Sequence, residues 1–190
     1  DIRENSISNI QGAGAVSLAG IRVTTSGGQA VISKNRISGL FNRNTGGYAA
    51  LGIHLAPAAT GSVIRNNFIW DLMNIGATSF TPAFGVAGIY MESGAGYRVY
   101  NNTVHLEGNS TAVSTNMISC LTVNTGVTDV DIRNNLLSNT VTGGSASDAH
   151  VCLYLAPAAA SSLLYNLNNN AYFTGSTAGV SGIAYAGNTT

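Results

Sequence analysis

Val99-Tyr100-Asn101-Asn102-Thr103-Val104 sets out a frame, apolar-x-x-Asn-x-apolar, that the chain repeats at Ile2–Asn5–Ile7, Ile32–Asn35–Ile37, Ile64–Asn67–Ile69 and Ile132–Asn135–Leu137. The asparagines are spaced by 30, 32, 35 and 33 residues. A second frame, small-apolar-x-apolar, runs in step with it at Gly20–Ile21–Val23, Gly52–Ile53–Leu55, Gly88–Ile89–Met91, Cys120–Leu121–Val123, Cys152–Leu153–Leu155 and Gly182–Ile183–Tyr185. A decayed sixth copy of the first frame is expected around Leu164–Tyr165–Asn166, ahead of Asn168–Asn169–Asn170. Two motifs keeping a common period are the signature of a repeat architecture.

Within each motif apolar and polar positions alternate, as in a strand with one buried face. The link from the second motif to the next first motif is nearly constant in length, as a tight turn would be. The link in the other direction varies, as a surface loop would. A repeat this short and helix-poor cannot be a βαβ unit. Winding each repeat into one coil stacks like strands on like strands, and predicts a right-handed, single-stranded parallel β-helix of about six coils of 30–36 residues. A propeller blade would need four antiparallel strands, and no recurrent Asn-Gly or Asp-Gly hairpin signal is present. Asn5, Asn35, Asn67, Asn102 and Asn135 are expected at a corner between two sheets, in the left-handed conformation that Asn tolerates. Stacked there, they would hydrogen-bond from coil to coil as a structural ladder.

Composition agrees. Gly, Ser, Thr and Asn make up 81 of 190 residues, and only 8% are charged, with no net charge. With 45% apolar residues the chain is unlike a disordered polyelectrolyte. No apolar run is long enough for a transmembrane helix. Balanced charge argues against a nucleic-acid partner. Residues 1–190 are expected to form a single β-helix segment, a piece of a longer chain whose flanking coils or domains are its first partners.

The stretches Ile132-Arg133-Asn134-Asn135, Val99–Val104 and Gly88-Ile89-Tyr90-Met91 resemble the right-handed parallel β-helix repeat family. In detail they are similar to Asn-rich repeats of large secreted or surface proteins of Bacteroidetes-type bacteria, cargo of type IX secretion. That resemblance implies an extracellular or cell-surface setting. It also implies either an adhesive or structural stalk, or a polysaccharide-active enzyme.

Enzymes that cleave polysaccharides need converging carboxylates, or carboxylates that hold calcium. Asp129 and Asp131 lie two apart before a strand, but read as a solvated turn, and Glu92 stands alone on its turn. His54, His105 and His150 fall on different faces, the last in a variable loop, so no catalytic residue, metal site or cofactor is expected. Two outward stripes are better candidates for contact with glycans or neighbouring proteins. One holds Arg3, Arg65, Tyr100, Arg133 and Tyr165, and the other Arg22, His54, Tyr90, Thr122 and Tyr154. Partly polar, β-favouring residues suit the outside of a sheet equally well. The longest loop, residues 70–87, adds Trp70, Phe80 and Phe84, which either contact a partner or cover the side of the helix. Cys120 and Cys152 share one position in adjacent coils, as two reduced thiols or as a vertical staple. The expectation is a non-enzymatic structural or adhesin segment, with a polysaccharide lyase or hydrolase whose active site lies elsewhere or has decayed as the alternative.

Overall fold

A computed structural model describes residues 1–24, 29–57, 59–75, 81–111, 116–156, 166–175 and 180–186. The alternating motifs build three six-stranded sheets, all parallel, in which the stacking order follows the chain order. The first sheet stacks Ile2–Arg3, Val31–Ser33, Val63–Arg65, Arg98–Tyr100, Asp131–Arg133 and Asn166–Asn168. The second stacks Ser6–Gly12, Arg36–Asn42, Phe68–Asn74, Thr103–Leu106, Leu136–Asn139 and Ala171–Thr174. The third stacks Leu18–Val23, Ala50–Leu55, Val86–Met91, Met117–Val123, Ala149–Leu155 and Val180–Ala186. The molecule is therefore an all-β parallel solenoid. Six passes over each face amount to about five turns, one fewer than the expected coil count.

Equivalent side chains lie in file. Ile2, Ile32, Ile64, Val99, Ile132 and Leu167 are register partners. So are Ile7, Ile37, Ile69, Val104, Leu137 and Tyr172, and Ile21, Ile53, Ile89, Leu121, Leu153 and Ala184. These files meet along the axis in one hydrophobic core, fully buried through the middle coils. Parallel sheets require both faces covered, and the third sheet obeys: strands 50–55, 86–91 and 117–123 are buried at every position.

The corner between the first two sheets departs from expectation in an instructive way. The left-handed residue is the one before each ladder asparagine: Glu4, Lys34, Asn66, Asn101, Asn134 and Asn169, with φ between 52° and 59°. The left-handed residue makes the bend and the next one makes the ladder, so in the Asn-Asn pairs the two roles fall to successive asparagines. Each ladder Asn from Asn5 to Asn135 donates both its backbone N–H and its Nδ2 to Oδ1 of the Asn one coil on, at 2.9–3.1 Å. From Asn35 onward Nδ2 also reaches back to a carbonyl of the preceding coil, Ile2, Ile32, Ile64, Val99 or Ile132. An interior ladder residue thus ties three coils together.

The sixth coil corrects two register expectations. Its ladder residue is Asn170, with Leu167 and Tyr172 as the flanking apolar pair, so the frame lies three residues beyond the expected copy. Asn168, and not Tyr165, continues the Arg3–Arg133 file; Tyr165 itself lies outside the described residues. On the third sheet the last pass is offset by one, because Ala184 pairs with Leu153 and Tyr185 with Tyr154.

Candidate functional site

The file Arg22, His54, Tyr90, Thr122, Tyr154 forms as expected on the outer side of the third sheet. It is not a solvated stripe. Arg22 is exposed, but His54, Tyr90, Thr122 and Tyr154 are buried. A small second cluster of Ala49, Leu51, Ala87 and Tyr90 covers this face. Beside it Phe84, in a short turn at Pro82–Phe84, meets Tyr48 edge-on at 6.4 Å.

A groove of about 380 Å³ opens there, within the size range of small-molecule sites. Its polar lining comes from Arg22, His54, Tyr90 and Glu92, and its apolar walls include Leu18, Leu51, Tyr48 and Phe84. His54 and Tyr90 stack with centroids 5.1 Å apart. His54 Nε2 lies 2.8 Å from Glu92 Oε2. An ionised carboxylate only accepts, so Nε2 carries the hydrogen and Nδ1 keeps its lone pair. Burial lowers the His54 pKa below its ordinary value, with Arg22 acting the same way and Glu92 opposing both. Burial, reinforced by Glu92, pushes the Tyr90 hydroxyl far up, and it accepts a hydrogen bond from Asn124 Nδ2 at 3.2 Å. The groove therefore offers an exposed guanidinium, a stacked ring pair and a neutral imidazole oriented by a carboxylate.

Glu92 is thus not alone. It shares its column with turn residues, but its side chain reaches across to the neighbouring coil. Two residues on different coils, 38 apart in sequence, meet because the coils bring their columns side by side.

The other expected sites resolve differently. In the first stripe Arg3 and Arg65 are exposed, whereas Tyr100 and Arg133 are half-buried and tied to each other through Asp131. Tyr100 OH donates to Asp131 Oδ2 at 2.6 Å, Arg133 pairs with the same carboxylate, and its guanidinium lies 5.0 Å over the Tyr100 ring. Asp131 is buried, so the solvated-turn expectation fails for it, while Asp129 is held by Arg98 at 3.3 Å. Trp70 lies in strand 68–74, not in a loop, and stacks on Phe68 at 4.4 Å on the second sheet; it does not join Phe84. Phe80 lies outside the described residues. His105 keeps its expected file with Trp70 and Ser138. His150, expected in a loop, is fully buried within strand 149–155, 3.8 Å from Asp148.

A second set of asparagines escaped the sequence reading. Asn42 and Asn74, register partners, bond carbonyls of Ala49 and Phe84 where the chain leaves the second sheet for the third. Asn139 does the same with Ile118 and Val151. The signal was there, an Asn seven residues after the ladder residue in the second and third coils. Among the described residues, no three His, Cys, Asp or Glu side chains gather as a metal site requires. Comparison with protein-family models, with curated proteins and with solved structures finds no match for this chain.

Proposed function

We propose that this chain is a rigid, non-catalytic spacer segment of a secreted or cell-surface protein, an adhesin-like rod whose outer faces contact glycans or neighbouring proteins. The observation that supports it is the ladder: one asparagine file running through all six passes, each interior member binding both neighbouring coils. Such a ladder makes length and stiffness. The acids point the same way. Glu4, Glu92, Glu107, Asp129, Asp131 and Asp148 each lie within 4 Å of a basic side chain, and among the described residues Asp1 and Asp71 show no such pair. Carboxylates held apart, each on its own partner, are not a converging catalytic pair.

One observation favours a second reading, a polysaccharide-active enzyme: the Glu92-oriented imidazole of His54 in a groove beside Arg22 has the form of a general base. A panel of purified neutral and acidic polysaccharides, assayed for binding and for cleavage, separates the two. The spacer reading expects chain lengths to stay unchanged, with any binding weakened by Arg22→Ala or Tyr90→Ala. Cleavage by the native chain that disappears in His54→Ala and Glu92→Gln would overturn it.

A further inference from the structure

One inward column of the third sheet is occupied in two ways. In the first three coils it holds Gly20, Gly52 and Gly88. A Cβ on these would stand 2.6, 2.7 and 2.4 Å from a branch methyl of Ile37, Ile69 and Val104 respectively, each a β-branched residue on the facing sheet. In the fourth and fifth coils the column holds Cys120 and Cys152, and the residues filing after Val104 are Leu137 and Tyr172, which lack that branch. The facing branch methyl is thus absent opposite the thiols, while a Cβ on Gly52 or Gly88 would also meet a next-coil carbonyl, that of Gly88 at 2.4 Å or of Cys120 at 2.6 Å. Both cysteines are reduced and fully buried. Their flanking residues pair in register, Ser119 with Val151 and Leu121 with Leu153. Adjacent strands in a sheet stand about 4.8 Å apart, inside the Cα range a disulfide accepts.

We propose that Cys120 and Cys152 form an oxidisable dithiol that closes into a disulfide between the fourth and fifth coils. Both thiols donate to backbone carbonyls, Cys120 to Ser138 at 3.2 Å and Cys152 to Leu137 at 3.3 Å and Phe173 at 3.2 Å. With the last strand not yet stacked on 149–155, Cys152 is the thiol at the open end of the pair, and it loses its proton and attacks as the thiolate. With a disulfide such as glutathione disulfide as oxidant, the Cys152 sulfur displaces one glutathione thiolate and forms a mixed disulfide. Cys120 then gives up its proton, and its sulfur displaces the second glutathione. Two protein thiols are oxidised and one glutathione disulfide is reduced to two glutathiones. Because both sulfurs are buried, exchange takes place before the sixth coil closes over Cys152, whose Sγ sits 3.2 Å from the Phe173 carbonyl. The inference is independent of the spacer reading.

The test is refolding of the reduced, denatured chain in a glutathione redox buffer, alongside natively purified chain held in the same buffer. Native fold is followed by circular dichroism, and thiols are counted by alkylation in denaturant. The expected product has no alkylatable thiol, a mass lower by two hydrogens, one intramolecular Cys120–Cys152 peptide, and a thermal midpoint raised by roughly 5–15 °C over the reduced chain. Cys120→Ser and Cys152→Ser singles should lose the crosslink and the shift together. Native chain that keeps both thiols in both preparations, carries glutathione adducts instead, or folds only under reducing conditions would overturn the proposal.

Discussion

At the residue scale, the ladder asparagines are not interchangeable. Asn67 is buried, accepts from Asn35 N and Nδ2, and donates to Ile32 O and Asn102 Oδ1. Asn67→Ala strands a buried N–H on Asn35 as well as deleting its own amide. It should cost about 2–4 kcal/mol in chemical denaturation. Asn5, exposed at the end of the file, should cost well under half as much when changed in the same way. Equal costs would mean that the file is not cooperative. Two histidines give a pH dependence of definite sign. Burial lowers the pKa of both His54 and His150 in the folded chain. The unfolded chain, with pKa about 6.5, takes up protons first as pH falls. Stability present above that value is therefore lost below it. Denaturation midpoints between pH 8 and 5 should fall on the acid side, and His54→Gln together with His150→Gln should flatten the fall. A midpoint that rises on acidification would contradict the burial argument.

At the scale of elements, the sheets were legible because each needed only a period of two and a repeat that returned the same residue to the same column. Ile32, Ile64 and Val99 announced their file in this way. What the sequence did not disclose was which of two neighbouring positions bends the chain. Glu4 and Lys34 occupy the left-handed site that Asn fills in later coils, so residue type alone pointed to the wrong member of the pair. Nor could a count of columns foresee the Glu92–His54 pair, since a side chain's reach is set by burial and partner rather than by register. The glycine column, by contrast, is a packing rule between sheets and can be tested as one. Gly20→Ala places a methyl 2.6 Å from Ile37 Cγ2 and 2.9 Å from the Gly52 carbonyl. Overpacking of this kind costs about 1–3 kcal/mol. Ile37→Leu in the same chain should recover part of that, a coupling readable in a double-mutant cycle. Strictly additive costs would remove the explanation offered for the glycines and, with it, for the cysteines that replace them.

At the scale of the whole molecule, stacking joins the two themes. A solenoid whose coils contact only their neighbours depends on every interface along its length. The interior coils here share a continuous core and a continuous amide file, while the third sheet adds a groove on the flank without interrupting either. That division is what the proposed spacer with a contact face would need. Native-state hydrogen exchange on the backbone amides of Asn5, Asn35, Asn67, Asn102 and Asn135 tests it most directly, because each N–H donates to the side-chain oxygen of the asparagine of the next coil. The three middle amides should exchange only through global unfolding, with one common opening free energy, and Asn5 should exchange faster. Exchange of Asn67 or Asn102 at the pace of an open loop would contradict the stacked file on which the account rests.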